Sequence, residues 1–332
     1  MKKCMVAFSL VMAMVLTVSE SSFAKPFYEG QTIQMVVATK PGGNYDLYAR
    51  IISQGMQKYL PGSTIIVKNV PGAGHIIGAN EIYSSKPNGL KFGTFNRALA
   101  LSQVANLKGV KFDLGKMSWL GSAATDLYCL LTVPKLKTLD DVMKANLVRL
   151  ASAGLGSQSH VTAALFAEMK GLNNLKLITG YGGGEAEMAM MRGEVDGQFA
   201  SWSSMAPFAA DGNGQPVMFI GKKQPKGFEN VPLLQDVVKE KKYQPLIDLQ
   251  LTLNILARPF AGPPAIPADR LKVLREAFAK ACANPDIIKM AEKGGISIDF
   301  TDGEEALRLF SGMLNQEPKM VKLIKEAYGS GD

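Results

Sequence analysis

The chain is 332 residues long, with 37 Lys and Arg against 29 Asp and Glu and a formal net charge of +8. The charges are scattered rather than gathered into a stripe, which argues against a nucleic-acid surface and leaves a basic soluble surface as the simpler reading. His75 and His160 are the only histidines, and neither has a metal-like partner at helical spacing, whereas a zinc site needs three or four ligands.

In chain order, Lys2 and Lys3 precede an apolar stretch at residues 5–18, and Ser22-Phe23-Ala24 supplies small residues at a cleavage site. Residues 1–24 therefore read as a signal peptide removed before Lys25, and the mature protein as exported and soluble. The apolar stretch is too short to span a bilayer, and no later segment approaches ~20 uninterrupted apolar residues. Cys4 lies ahead of the stretch, so it is not a lipoprotein cysteine. About 300 residues remain, enough for roughly two domains of ~100–200 residues.

Short β-rich runs then alternate with helical patterns, which predicts an α/β fold with largely parallel sheets. "TIQMVVAT" (32–39) reads as a first strand, followed by the turn "PGG". Tyr48, Ile52, Met56 and Tyr59 then define one apolar helix face. "STIIVKNV" (63–70) is a second strand, leading into "PGAGHIIGANEIY" as turn and helix. "LKFGTFN" (90–96) is a third strand ending at Asn96-Arg97.

After Trp119 the pattern restarts. "DLYCLLTVP" (126–134) and "LVRLASAG" (147–154) read as strands, with "LDDVMKAN" as a short helix between them. Ser157 can cap a helix whose buried stripe is Val161, Leu165 and Met169, and Gly171 is its stop. "LKLITG", "EVDGQFASW" and "PVMFIG" (216–221) continue the strand series. "LQLTLNILAR" (249–258) returns the chain to the first lobe. The last ~70 residues read as mainly helical, with Pro267-Ala268-Asp269 opening a helix to about Ala283.

A Gly- or Ser-rich turn recurs after apolar strands and before helices: Gly42-Gly43, Gly72-Ala73-Gly74, Gly156-Ser157 and Gly182-Gly183-Gly184. Such turns expose N–H groups, and the helix dipole adds partial positive charge. One helix start contributes only ~0.3–1 kcal/mol to an exposed anion, and about 2 kcal/mol when partly buried. Several starts converging outside the carboxyl ends of the strands would hold an anion without a large cationic cluster. A glycine can also serve only its own tight turn, but four such turns in alternate register favour a ligand site.

Enzyme readings are weaker. "GAGHIIGA" (72–79) resembles a dinucleotide fingerprint, yet residues 91–100 contain no acid to bind a ribose. "GLGSQSH" lacks a G-x-S-x-G elbow and an evident acid–base partner. Ser157 reads as helix cap and anion donor, and His160 as either packed beneath the turn or a neutral donor to a ligand. Trp202 is either core or cleft lining. Cys129 and Cys282 would pair only if the fold brings them together.

Taken together, these stretches resemble the substrate-binding receptors of tripartite tricarboxylate transporters, the Bug family of periplasmic proteins. "PGGNYDLYAR" is similar to PGG-x-x-D-x-x-AR, "NVPGAGHIIGAN" to N-x-PGAGG-x-x-GA, and "GLGSQSH" to G-x-G-S/T-x-x-H. "YGGGEAEMAMMRGEVD" is similar to Y-K-G-x-x-x-A-x-x-x-L-x-G-x-V-D, and the order of these motifs spans almost the whole mature chain.

The resemblance implies a two-lobed Venus-flytrap fold, with residues 25–124 and 253–332 in one lobe and 125–252 in the other. It further implies a non-enzymatic, monomeric receptor, without cofactor or metal, that delivers a small organic carboxylate to membrane transporter subunits. A receptor feeding a sensor kinase and an exported hydrolase are the alternatives. Carried over by position, Gly42, Gly43, Asn44 and Asp46 form the first turn, with Asp46 fixing the loop rather than touching the anion. Gly72, Ala73, Gly74 and His75 form the second turn. Ser157, Gln158, Ser159 and His160 close from the second lobe, with Tyr181, Gly182, Trp202 and Ser203 nearby.

The chain departs from the family pattern at Lys40, at His75 (usually glycine) and at Gly182 (usually lysine). Lost bulk at Gly182 predicts a wider pocket, suited to an aromatic or longer dicarboxylate. After the third strand, Asn96 joins the candidate binding residues. Arg97 is either a bidentate partner for a distal carboxylate or a surface residue near the hinge.

Overall fold

The computed structural model describes residues 26–182 and 184–328. The predicted signal peptide with its cleavage site, and Gly183 of the fourth turn, lie outside them. Among the described residues no helix is long and apolar enough to cross a membrane.

Two sheets organise the molecule. The first contains β1 (Thr32–Val37), β2 (Thr64–Asn69), β3 (Lys91–Thr94), β4 (Met117–Ser122), β10 (Pro259–Pro264) and the two-residue β11 (Thr301–Asp302), in the order β11-β4-β10-β3-β1-β2. The second contains β5 (Tyr128–Thr132), β6 (Val148–Ser152), β7 (Leu175–Thr179), β8 (Gly197–Ser201) and β9 (Gln215–Ile220), in the order β7-β6-β8-β5-β9. Each sheet is built on one plan. Its strands run parallel apart from one inserted strand, β10 between β3 and β4 in the first sheet and β5 between β8 and β9 in the second. Edge strand β11 also runs antiparallel, against β4. The inserted strand is in each case the one that follows a crossing between the sheets.

Helices follow the strands as the apolar periodicity predicts. In the first half these are α1 (Asn44–Gln57), α2 (Ile76–Tyr83) and α3 (Leu99–Val104). Tyr48, Ile52 and Met56 are fully buried on α1. Tyr59 falls just past the helix end, where its hydroxyl accepts from Asn284 Nδ2 at 2.8 Å. Around the second sheet lie α4 (Leu139–Lys144), α5 (Gln158–Lys170), α6 (Glu185–Met191), α7 (Trp202–Ala210), α8 (Leu234–Val237) and α9 (Gln244–Ile255). The Ser157 hydroxyl caps α5 by accepting from His160 N, and Gly171 ends that helix at φ 62°, a conformation glycine adopts without a Cβ clash.

The chain then returns through β10 to α10 (Ala268–Ala283), α11 (Pro285–Lys293), α12 (Gly303–Leu314) and α13 (Pro318–Ala327). One continuous apolar core joins the two halves, because Leu101 and Ala105 around α3, Phe166 on α5 and Ile324 on α13 belong to the same cluster.

The two crossings run side by side and bond to each other. Ala123 N donates to Arg258 O at 2.9 Å, Ala257 N to Ala124 O at 3.0 Å, and Asp126 N to Asn254 O at 3.0 Å.

Cys129 and Cys282 do not pair. Cys129 is buried in the second sheet's core and Cys282 in the core of the first, and both thiols are free. Burial pushes both thiols up, Cys282 to about 12, so neither is a reactive thiolate. Melting of the mature protein is therefore expected to be the same with and without dithiothreitol. A drop of several degrees on reduction would show a bridge, since a native disulfide contributes roughly 2–4 kcal/mol.

Candidate functional site

A cavity of about 150 Å³ lies where the turns of the two sheets meet. From the first half it is lined by Gly43, Asn44 and Tyr45 at the start of α1, by His75 and by Asn96. From the second half it is lined by Ser157, Gln158 and Ser159 at the start of α5, by Tyr181 and Gly182, and by Ser201 and Ser204 around the start of α7.

The first turn is held from behind. Asp46, nearly buried, accepts from Gly42 N at 3.1 Å, from Arg50 Nε at 2.9 Å and from Asn69 Nδ2 at 3.0 Å. Burial opposes its charge, yet the hydrogen bonds from Arg50, Asn69 and Gly42 hold its carboxyl below the ordinary value. Asn69 also donates to Thr39 O at 3.1 Å, tying the second turn's strand to the first turn. Gly42 and Asp46 thus shape the loop without lining the cavity.

The second turn meets the second half directly. A Cβ on Gly74 would lie 2.5 Å from Ser157 N and 2.7 Å from the Gly156 backbone, so only glycine allows the two turns to close on each other. Gly72, Ala73 and Gly74 line a second space of about 300 Å³ beside the first. Thr39, His75, Ala153, Tyr181 and Gly182 line both spaces and form the wall between them. His75 stands there at φ 81°, a left-handed conformation that glycine takes freely and histidine does not. Its ring packs edge-on against Tyr45, with centroids 5.1 Å apart.

Arg97 is not a surface residue: it is fully buried and stands behind the cavity rather than in it. Its Nε donates to Gln158 Oε1 at 2.5 Å and its Nη1 to Asn254 O at 3.3 Å, so it positions Gln158, which does line the cavity. His160 lies beneath its turn, its Nδ1 3.5 Å from Ser152 Oγ. The Ser157 hydroxyl donates to Gly154 O and lies 3.0 Å from Ser159 Oγ, so the described contacts pair neither serine with an imidazole. Trp202 packs edge-on against Phe219 and Phe228 in the second core and does not line the cavity. Ser203 binds Asp126 through both its N–H and its hydroxyl, and accepts from Asn44 Nδ2 at 3.3 Å across the two halves.

Beside Gly182, on the side away from the 150 Å³ cavity, another departure from the family pattern takes up space. The stem of Lys40 lies against the bare glycine, with its Cδ 3.6 Å from where a Cβ would stand. The Lys40 ammonium reaches across the mouth to Glu185 at 2.8 Å. Both partners are about half exposed (46% and 48%), so the pair contributes at most ~1 kcal/mol. One departure from the family pattern thus fills the space opened by another.

Sequence reading missed Arg258. This residue is 2% exposed, lines the cavity, and sits on the second crossing just before β10. Its Nη1 donates to Ala257 O at 2.8 Å and to Ser201 Oγ at 3.3 Å, and its Nη2 lies 3.5 Å from Asp126 Oδ2. The guanidinium carbon lies 4.8 Å from the ring centre of Tyr45 and 5.1 Å from that of Tyr48. The available signal was a lone arginine ending the apolar run "LQLTLNILAR" at a return crossing.

Two outcomes follow from this geometry. Gly74→Ala should hold the turns apart and lower solute affinity at least ~10-fold while the circular dichroism of the free protein stays unchanged; undiminished affinity would separate turn contact from binding. His75 is held neutral, its pKa pushed down to about 3 by burial and then by Arg258. The unfolded chain protonates near 6.5 while the folded chain does not, so stability is full above that pH and declines below it. His160, also lowered by burial, acts in the same direction. Melting temperature should fall from pH 7 to pH 5, and less steeply in His75→Gly; an equal slope would place the linked proton elsewhere.

Residues 48–326 match the family described as the tripartite tricarboxylate transporter family receptor. BugT of Bordetella pertussis is 28% identical over 222 residues, which cover 63% of this chain and 67% of that protein. Among solved structures, the periplasmic binding protein BugD is similar at TM-score 0.75 and 18% identity, over 90% of this chain and 98% of that one. MatC from Rhodopseudomonas palustris, solved with bound malate, is similar at TM-score 0.72 and 17% identity, over 90% and 99%. These structures share the two-lobed fold of periplasmic binding proteins. With the greater part of its length matching the family, the chain is a member of the tripartite tricarboxylate transporter family of receptors.

Proposed function

We propose that the protein is a periplasmic receptor that captures a small organic carboxylate between its lobes and delivers it to a tripartite tricarboxylate-type membrane transporter. The observation that carries this reading is the convergence of the α1 and α5 starts on one cavity also lined by the buried Arg258. Helix starts present N–H donors and partial positive charge, and the guanidinium adds a full one. The described residues within 25–124 and 253–332 make one lobe and those within 125–252 the other, and the paired crossings serve as the hinge. Closure on the solute is then stabilised by its stronger binding to the closed form. The malate bound by MatC is a compact carboxylate of the class this cavity suits.

The mature chain, beginning at Lys25, should give heat and a rise in melting temperature with members of a panel of mono-, di- and tricarboxylates, and neither with neutral sugars. A response to sugars or cations with none to any acid would overturn the carboxylate reading. Co-purification of the receptor with its transporter's membrane subunits, rather than with a sensor kinase, tests the partner.

A further inference from the structure

Two side chains stand out beside the glycine turns' backbone at the cavity. The first is Arg258. Its Nε has no hydrogen-bond partner among the described residues, and neither has Nη2 of the neighbouring Arg97. The buried carboxylate beside Arg258 is Asp126, whose charge also acts on Arg97. That carboxylate is already engaged by Ser203 N at 3.2 Å and by the Ser203 hydroxyl, and stands 3.5 Å from Arg258. His75 adds no charge at neutral pH. Arg97, Arg258 and Asp126 together leave one positive charge in excess on that side of the cavity, where an uncompensated charge is costly. An anion in the cavity that Arg258 lines would lower that cost, while Arg97 behind it would act only through its charge.

The second residue is His75, part of the wall between the 150 Å³ cavity and the 300 Å³ space beside it. A cavity near 150 Å³ is the size that holds a benzene ring, which suits a solute of roughly six to nine non-hydrogen atoms. With glycine at position 75 the two spaces would lose the imidazole between them.

Resting on the receptor reading above, we infer that Arg258 and His75 set the solute class: Arg258 holds a carboxylate of a compact acid, and His75 excludes longer ones. The fork of the guanidinium matches a carboxylate and does not match its amide. The selectivity is thus one of charge at Arg258 and of length at His75.

The test is calorimetric titration of the mature protein with succinate, succinamate (its half-amide) and adipate. Wild type should favour succinate over succinamate by roughly 30-fold, in the range of one charge-assisted hydrogen-bonded contact. In Arg258→Gln that ratio should fall to about 3 or less, with Arg258→Lys between, because an ammonium supplies the charge without the fork. Asp126→Asn should raise the ratio a few-fold by freeing Arg258, and it decides the matter even if Arg258→Gln fails to fold. An unchanged acid-to-amide ratio in these variants would overturn the role of Arg258, whereas no binding of any acid by wild type would overturn the receptor reading itself. His75→Gly should gain adipate binding at least ~10-fold relative to succinate, and an unchanged order would remove His75 from solute selection.

Discussion

The ion pair of Arg258 and Asp126 sits where the chain passes between its two sheets, and the surrounding architecture depends on keeping both charges satisfied there. A buried pair rarely repays its own desolvation unless further hydrogen bonds complete it. Asp126 obtains them from Ser203 at the start of α7, and Arg258 from Ala257 O, Ser201 and the faces of Tyr45 and Tyr48. These partners come from α1, β8, α7 and both crossings. One charged contact thereby fixes the hinge, two helix starts and the floor of the cavity relative to one another. The proposed hinge and the proposed binding site share residues, so a solute at Arg258 would act directly on the segment about which the lobes would rotate.

Around that floor the turns form a set in which each irregular residue is answered by another. Gly74 has no side chain because the Gly156–Ser157 backbone occupies the place. His75 takes a left-handed conformation beside it, and its ring finds an edge-on partner in Tyr45. Lys40 fills the surface left by Gly182 and places its charge on Glu185, which also accepts from Gly182 N at 2.9 Å. In the proposed receptor, backbone donors would supply general affinity for carboxylates, and these side-chain substitutions would change the shape offered to the solute.

Much of this was legible in the sequence because it is local. Alternating β-branched runs and three- and four-residue apolar spacing located β1, α1, β2, β3, β6 and α5, while Ser157 and Gly171 marked the ends of α5 correctly. Gly43, Asn44, Ser157, Gln158 and Ser159 reached the cavity because a turn between strand and helix must lie at the sheet's carboxyl edge. What sequence could not supply is long-range. Arg97 and Arg258 carry the same charge and both sit near segment ends, yet the first is packed behind Gln158 while the second opens on the cavity. That difference arises from the paired, antiparallel crossings, which join residues 123–126 to 254–258. Nor can local pattern show that Lys40 and Gly182, so far apart in the chain, are in contact, or that Cys129 and Cys282 occupy separate cores.

The unpaired donors give the proposed closure a physical driving term. Arg97 Nη2, Arg258 Nε and Gln158 Nε2 are buried without a protein acceptor among the described residues, and each such group costs roughly 1–3 kcal/mol more than one that is satisfied. In the closed arrangement without solute or water to meet them, that cost weighs against closing, while Lys40–Glu185 and Asn44–Ser203 weigh weakly in its favour. An acid in the cavity supplies acceptors and a negative charge together, reversing the balance only for solutes that carry both. Discrimination and closure then have one origin: a neutral molecule of the same shape would leave the guanidiniums as costly as before, and the closed form would gain little from it.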